Sequence, residues 1–211
     1  MKLIKETYFP TNVYFCEKLE WVDYLINNTD PYILEAKKNL ESNSKDTFGL
    51  SYHSIPLTND DKFNEFKLFI CEQAKDILNE QGYDLSNSVL AITEFWVQEF
   101  SEKGGGHHNS HVHSNSHING FFFLKCSPNT SYPIFHDPRL YNRMIDLNKK
   151  NNNGISTASE VVNIKTKPGT FVFFNSYLDH QFVVDKGIDP FRFIHFNIQV
   201  LPKDLINYNK K

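Results

Sequence analysis

The pattern of hydrophobic and polar residues differs between the first part of the chain and the rest. In residues 13–29, and again in residues 61–80, apolar side chains recur every three or four positions, which is the spacing of an amphipathic helix. Asn12 stands at the capping position of the first segment, and Gly82 is a natural stop for the second. The pattern therefore predicts two helices in the first part of the chain.

From Val89 onward, short β-rich segments replace the helical pattern. Turn residues such as Pro168-Gly169 separate them, and they hold many of the chain's 19 phenylalanines. The segments are VLAITEFWVQEF, INGFFFLK, VVNIKT, TFVFF and FRFIHFNIQV. A polar, Asn-rich stretch at 137–160 interrupts them, and it predicts a long insertion loop with room for one helical turn.

No linker and no repeat of 20 to 50 residues divides the chain. A length of 211 residues suffices for one core with additional helices around it. We therefore expect a single domain over residues 1–211. Residues 1–85 form its mainly helical flank, and residues 86–202 form a β core that is either a barrel or a sandwich.

Composition narrows the classes of partner. The net charge is −3 without a basic block, so nucleic-acid binding is not expected. No apolar run reaches membrane-spanning length, and membrane association is not expected either. The three cysteines, Cys16, Cys71 and Cys126, are far apart and form no CxxC motif, which favours a reducing, cytoplasmic location over a disulfide scaffold or a thiolate zinc site. The sequence leaves the oligomeric state open.

Five of the nine histidines lie in the stretch GGGHHNSHVHSNSHING, residues 104–120. His111 and His113 are two residues apart, so in an extended strand they project from one face and can bind one metal ion together. A third ligand must come from a distant strand, and His180 follows the buried-looking segment TFVFF. The sequence therefore predicts a metal site of His111, His113 and His180. The remaining histidines of the stretch are expected to be bystanders: His107, His108 and His117.

Arg192 is the second unusual feature. In FRFIHFNIQV the even-numbered positions are apolar apart from Arg192, so we expect its side chain to point into the barrel with them. A buried guanidinium needs an anionic partner, which is either a protein carboxylate or an acidic cosubstrate. Gln98 and Asn197 are further polar candidates for contacts with a cofactor.

These motifs together resemble a known family. His111-x-His113 followed by SNSHINGFFFL, and PGTFVFFNSYLDH followed by RFIHFNI, resemble the metal and cosubstrate strands of the 2-oxoglutarate- and Fe(II)-dependent oxygenases. The match covers approximately residues 89–200. Its pattern is that of an uncharacterised bacterial and phage branch, HxHxNSxLSGxYY…DPR…PGxLxxFPSxLxH…RxSxxFN. The resemblance implies a mainly β fold with flanking helices, a double-stranded β-helix or jelly-roll barrel like that of the cupins.

The resemblance also implies a chemistry. His111 and His180 would bind Fe(II), and Arg192 would bind the far carboxylate of 2-oxoglutarate. The reaction would be oxidative decarboxylation of 2-oxoglutarate to succinate, usually ending in hydroxylation, as in the prolyl hydroxylase group. The substrate would be a small molecule or a peptide, and the sequence names none.

One departure from the family pattern leaves alternatives open. The superfamily's usual ligand set is HxD…H, and here His113 stands where the aspartate would be. Asp137 is the preferred alternative carboxylate. A three-histidine set also fits a cupin-like iron dioxygenase that binds its substrate directly, without 2-oxoglutarate. A non-catalytic barrel that binds a metal ion or a small molecule is the third possibility.

Overall fold

The computed structural model describes residues 2–44, 46–139, 144 and 147–204. This part of the chain is mostly antiparallel β-sheet with two α-helices. The helices are α1 (Val22–Glu41) and α2 (Asn64–Glu80). The strands are β1 (Val13–Glu17), β2 (Ser51–His53), β3 (Ser88–Phe100), β4 (His108–His111), β5 (Ile118–Lys125), β6 (Pro133–His136), β7 (Val161–Asn163), β8 (Thr170–Asn175), β9 (His180–Phe182) and β10 (Arg192–Pro202).

The strands form two sheets. One has six strands in the order β1-β8-β5-β10-β3-β2, and the other has four in the order β4-β9-β6-β7. Neighbouring strands pair antiparallel throughout, and most neighbours in space are distant in sequence. This arrangement confirms the double-stranded β-helix, or jelly-roll, class that the sequence resemblance implied.

Two hydrophobic cores cover the two faces of the six-stranded sheet. Ile194 and Phe196 of β10 belong to the core that lies under α1 and α2. Phe193, between them in sequence, belongs to the core that fills the space between the sheets. Because both faces are covered, β5 and most of β10 are buried at consecutive positions. This double burial explains why the second half of β5, FFFL, is apolar without alternation, whereas β10 buries the polar Arg192, His195 and Asn197 as well.

The helical prediction was partly wrong at the N-terminus. Residues 13–17 form β1, which pairs with β8 from Val13 opposite Phe174 to Glu17 opposite Thr170, and the α-helix begins only at Val22. The apolar spacing of this segment satisfied the helical template, but its aromatic and β-branched residues fit the free edge of the sheet. The prediction for the second helix was confirmed, since α2 begins at Asn64 after one 3-10 turn.

The polar stretch 137–160 leads from β6 into β7, and it forms neither a strand nor an α-helix in its described part. Residues 140–143, 145 and 146 lie outside the described residues, so the expected helical turn stays a prediction. Across the described ranges, neither helix is long and apolar enough to cross a membrane.

Gly120 allows β5 to pack closely against its neighbours. A Cβ atom at this position would lie 2.5 Å from the carbonyl oxygen of Val172 and closer still to the ring of Phe196. Neither group can move without disturbing the sheet or the core under the helices. We expect Gly120→Ala to lower the free energy of unfolding by about 1–3 kcal/mol, measured by urea denaturation. Gly154→Ala is the control, because its Cβ would meet only the side chain of Asn151.

Candidate metal centre

Three histidines converge at one end of the space between the sheets. His111, at the end of β4, is paired directly with His180, the first residue of β9. His113 follows two residues after the strand, and its backbone N–H donates to the carbonyl oxygen of Ser176. The ring centroids are 4.5 Å apart for His111 and His180, 4.9 Å for His111 and His113, and 5.2 Å for His113 and His180. One nitrogen from each ring lies within 4.8 Å of the others.

Hydrogen bonds from Nδ1 to backbone carbonyl oxygens orient two of these rings. Nδ1 of His111 lies 2.7 Å from the carbonyl oxygen of Asn109, and Nδ1 of His180 lies 3.0 Å from that of Leu178. Each Nδ1 therefore carries the proton, which leaves Nε2 as a lone-pair donor. Nε2 of His113 and Nε2 of His180 are buried without a hydrogen-bond partner. A metal ion held by the three rings would satisfy both of these buried nitrogens.

Burial keeps the rings of His113 and His180 neutral. Loss of solvation, with a smaller contribution from neighbouring histidines, lowers the pKa of His180 to about 2 and that of His113 to about 3. A neutral imidazole is the form that coordinates a metal ion. The surroundings of His180 are aromatic: the rings of Phe174, Phe121 and Phe135 lie 4.7, 5.6 and 5.9 Å from it.

The other histidines of the stretch have different positions. His108 lies on β4, and its Nε2 is 2.7 Å from Oε1 of Gln98, whose contact with a cofactor stays a prediction. Burial lowers the pKa of His108 to about 4. His107 is exposed, with Nδ1 beside the carbonyl oxygen of Gly105. Nδ1 of His117 accepts a hydrogen bond from the backbone of Val200.

The expected orientation of Arg192 is wrong. Arg192 does share a face of β10 with Ile194 and Phe196, but that face lies under the helices. Its guanidinium donates from Nε to Glu99 at 2.6 Å and from Nη1 to Asp30 of α1 at 2.5 Å. The sequence left open whether this guanidinium pairs with a protein carboxylate or with an acidic cosubstrate. In the structure its partners are the protein carboxylates of Glu99 and Asp30.

Asp137 and Asn197 also have defined partners. The carboxylate of Asp137 accepts two hydrogen bonds from the guanidinium of Arg139. Among the described residues, two sets of side chains are close enough together to bind one metal ion, and Asp137 is in neither set. The amide of Asn197 lies 3.2 Å from Nδ1 of His113. Asn197 therefore positions a histidine of the candidate site, and its Oδ1 is buried without a partner.

The sequence prediction did not include His195 in the site. Its ring lies between the ring of His113, at 4.8 Å, and the ring of Trp96, at 4.5 Å. It is 1% exposed, and neither of its ring nitrogens has a hydrogen-bond partner. We call His111, His113, His180 and His195 the four-histidine cluster.

Comparison with known proteins agrees with this geometry. Residues 94–197 match the family described as "Putative 2OG-Fe(II) oxygenase". No curated protein sequence matches the chain. Similar solved structures include AviO1 from Streptomyces viridochromogenes Tue57, with 12% identity, 90% of each chain covered and a TM-score of 0.60.

Two further structures share the fold. EctD from S. alaskensis, solved with 2-oxoglutarate and 5-hydroxyectoine, has 11% identity, 90% of this chain and 72% of that chain covered, and a TM-score of 0.59. A prolyl-4-hydroxylase from Pseudomonas putida has 11% identity, 89% and 92% coverage, and a TM-score of 0.53. Just under half of the chain therefore matches a model of the 2-oxoglutarate- and Fe(II)-dependent oxygenases, and the chain shares its fold with solved structures of similar length.

Fe(II) and 2-oxoglutarate are the cofactors of this superfamily, as the sequence resemblance implied. The site fits the metal, because three imidazoles converge and two of their nitrogens are buried without partners. Among the residues that the structure describes, no buried cation faces the site as the expected anchor for the far carboxylate of 2-oxoglutarate. Arg192 is the one buried arginine or lysine in the described ranges, and it faces α1.

Proposed function

We propose that this protein is an Fe(II)-dependent hydroxylase that couples oxidation of a small molecule or a peptide to decarboxylation of 2-oxoglutarate to succinate. One observation carries the proposal: His111, His113 and His180 converge within a fold shared with this superfamily, and burial keeps His113 and His180 neutral. Iron held by three protein ligands keeps coordination positions free for O₂ and a second ligand, which is the chemistry it supplies when bound.

The protein residues orient and enclose the metal position. The carbonyl oxygens of Asn109 and Leu178 fix the ring nitrogens of His111 and His180, so both present the unprotonated Nε2. The aromatic rings that surround His180 exclude water from the deep side of the site. Substrate would therefore approach from the side of His111, whose ring is only partly buried and next to the exposed Val112.

A second candidate is favoured by the surroundings of Arg192. Within the described part of the chain, Arg192 is the only buried arginine or lysine, and it is bound to Glu99 and Asp30 rather than directed between the sheets, where phenylalanines pack. A three-histidine iron enzyme of the cupin type binds its substrate on the metal and needs no cationic anchor. This candidate predicts O₂ consumption that is independent of 2-oxoglutarate.

Oxygen uptake and succinate formation by the Fe(II)-loaded protein distinguish the candidates. Succinate that forms only with both Fe(II) and 2-oxoglutarate, and not in His180→Gln, supports the hydroxylase proposal. Oxygen uptake without 2-oxoglutarate favours the second candidate. Iron binding without either activity contradicts both and leaves a binding protein of this fold. His107→Gln is the matched control, since His107 is exposed and outside the four-histidine cluster.

We propose a cytoplasmic location as well. All three cysteines are free thiols in the structure, which is typical of proteins from reducing compartments. The proposed partner is the substrate alone, with neither nucleic acid nor membrane.

A further inference from the structure

The four-histidine cluster contains more metal ligands than one three-histidine site uses. His195 is fully enclosed, and neither of its ring nitrogens makes a hydrogen bond, although Nε2 lies 3.7 Å from the carboxylate of Glu94. A buried imidazole without a hydrogen bond is costly, so its retention needs a physical reason. The three-histidine position of His111, His113 and His180 does not provide one, because it leaves His195 out.

A carboxylate completes a second group around His195. Glu94 lies on β3 two residues before Trp96, and Trp96 is paired with His195 across the sheet. Oε2 of Glu94 lies 3.7 Å from Nε2 of His195. One ligand atom each from Glu94, His113 and His195 lies within 4.8 Å of the others.

We infer that Glu94, His113 and His195 form a second position for a divalent transition-metal ion, adjacent to the three-histidine position and sharing His113 with it. Two histidines and one carboxylate are the ligand set that non-haem Fe(II) oxygenases use. The carboxylate absent from position 113 would thus come from β3. Trp96 and His113 stack on opposite faces of His195 and hold its ring between them.

The shared ligand makes the two positions alternatives for one ion. Nδ1 of His113 lies 3.2 Å from Nδ2 of Asn197, and only Nε2 is without a partner. Ligation through Nε2 requires the proton on Nδ1, so Oδ1 of Asn197, which is buried without a partner, would face Nδ1 as the acceptor in the metal-bound site. A single nitrogen cannot serve two metal ions at once. The chain is therefore expected to bind one ion, which can occupy either position. This inference concerns metal binding alone and does not rest on the proposed reaction.

Anaerobic titration of the full chain with Co(II) tests the second position. Co(II) reports its ligand set through its visible absorption, so no turnover is needed. The variant His111→Gln/His180→Gln retains only the proposed group of Glu94, His113 and His195. We expect it to bind one Co(II) with a spectrum different from that of the wild type. Adding Glu94→Gln should abolish this binding, whereas adding Glu102→Gln, at an exposed glutamate, should leave it unchanged.

Two results would overturn the inference. One is a folded double variant, checked by circular dichroism, that binds no Co(II). The other is binding that survives Glu94→Gln, since the ion would then be held elsewhere. If the double variant does not fold, His111→Gln alone is the background for the same pair of glutamine substitutions. His111 is only partly buried at the end of a short strand, so this single change is mild.

Discussion

His113→Ala is expected to abolish Fe(II) binding at micromolar protein concentration. His113 is the one residue common to both groups of ligands, so its removal leaves two protein ligands at either position. Loss of a residue that merely supports a ligand weakens metal affinity by roughly 10- to 100-fold, so loss of the shared ligand should cost at least about 100-fold. Anaerobic isothermal titration calorimetry with Fe(II) measures this change.

His117→Ala is the control for this substitution. His117 belongs to the same histidine stretch, but its Nδ1 accepts a hydrogen bond from Val200 and it lies in neither ligand group. Its Fe(II) affinity should match that of the wild type. If His113→Ala bound Fe(II) as tightly as His117→Ala, the assignment of the metal centre would be incorrect.

Arg192→Met is expected to destabilise the fold by about 3–5 kcal/mol, because it removes one partner of a buried ion pair. The Arg192 and Glu99 side chains are 4% and 5% exposed, and they tie β10 and β3 to Asp30 of α1. Lys37 remains 2.6 Å from Glu99 after the substitution, which favours the lower part of this range. Urea denaturation at neutral pH measures the loss.

The pH dependence of this difference follows from Glu99. Burial alone would raise the pKa of Glu99, but Arg192 and Lys37 outweigh it and hold the pKa below its ordinary value. A carboxyl group with a lowered pKa contributes stability above its unfolded pKa and loses it as the pH falls through the folded pKa. The difference in the free energy of unfolding between the wild type and Arg192→Met should therefore decrease as the pH falls through the folded-state pKa of Glu99.

Arg139→Met is the arginine control. Its guanidinium is 57% exposed, whereas that of Arg192 is 4% exposed, so we expect a smaller loss of stability than in Arg192→Met. An equal loss in Arg139→Met and Arg192→Met would contradict the structural role given to the buried network.

The fold class was implied by the resemblance to a known family, whereas the three converging histidines could be predicted from the residues themselves because their signals are local. The HxH spacing specifies two side chains, and His180 follows a segment whose apolar run is typical of a buried strand. Their convergence required only that β4 and β9 become neighbours, and the structure pairs His111 with His180 directly.

The face of β10 could not be assigned from its pattern. Arg192 does lie with Ile194 and Phe196, as alternation indicates, but apolarity marks the face under the helices rather than the interior. The face between the sheets holds the polar His195 and Asn197, because that face reaches the metal centre. The more polar face of a doubly buried strand was therefore the functional one, and this signal was present in FRFIHFNI.

Glu94 was missed for a different reason. Its carboxylate is half exposed at 52%, and no motif links it to the histidine stretch. Only the pairing of β3 with β10 brings it to His195, and that pairing is a tertiary contact between residues about one hundred positions apart.

The most direct test of the account is an anaerobic titration of the Fe(II)-loaded protein with 2-oxoglutarate, followed by the weak visible charge-transfer band of a chelated 2-oxo acid. We expect the band to appear in the wild type and to persist in Arg192→Met under conditions where that variant is folded, because Arg192 faces α1. Iron binding without the band would contradict assignment to the 2-oxoglutarate-dependent reaction. Loss of the band in a folded Arg192→Met would contradict the position given to Arg192.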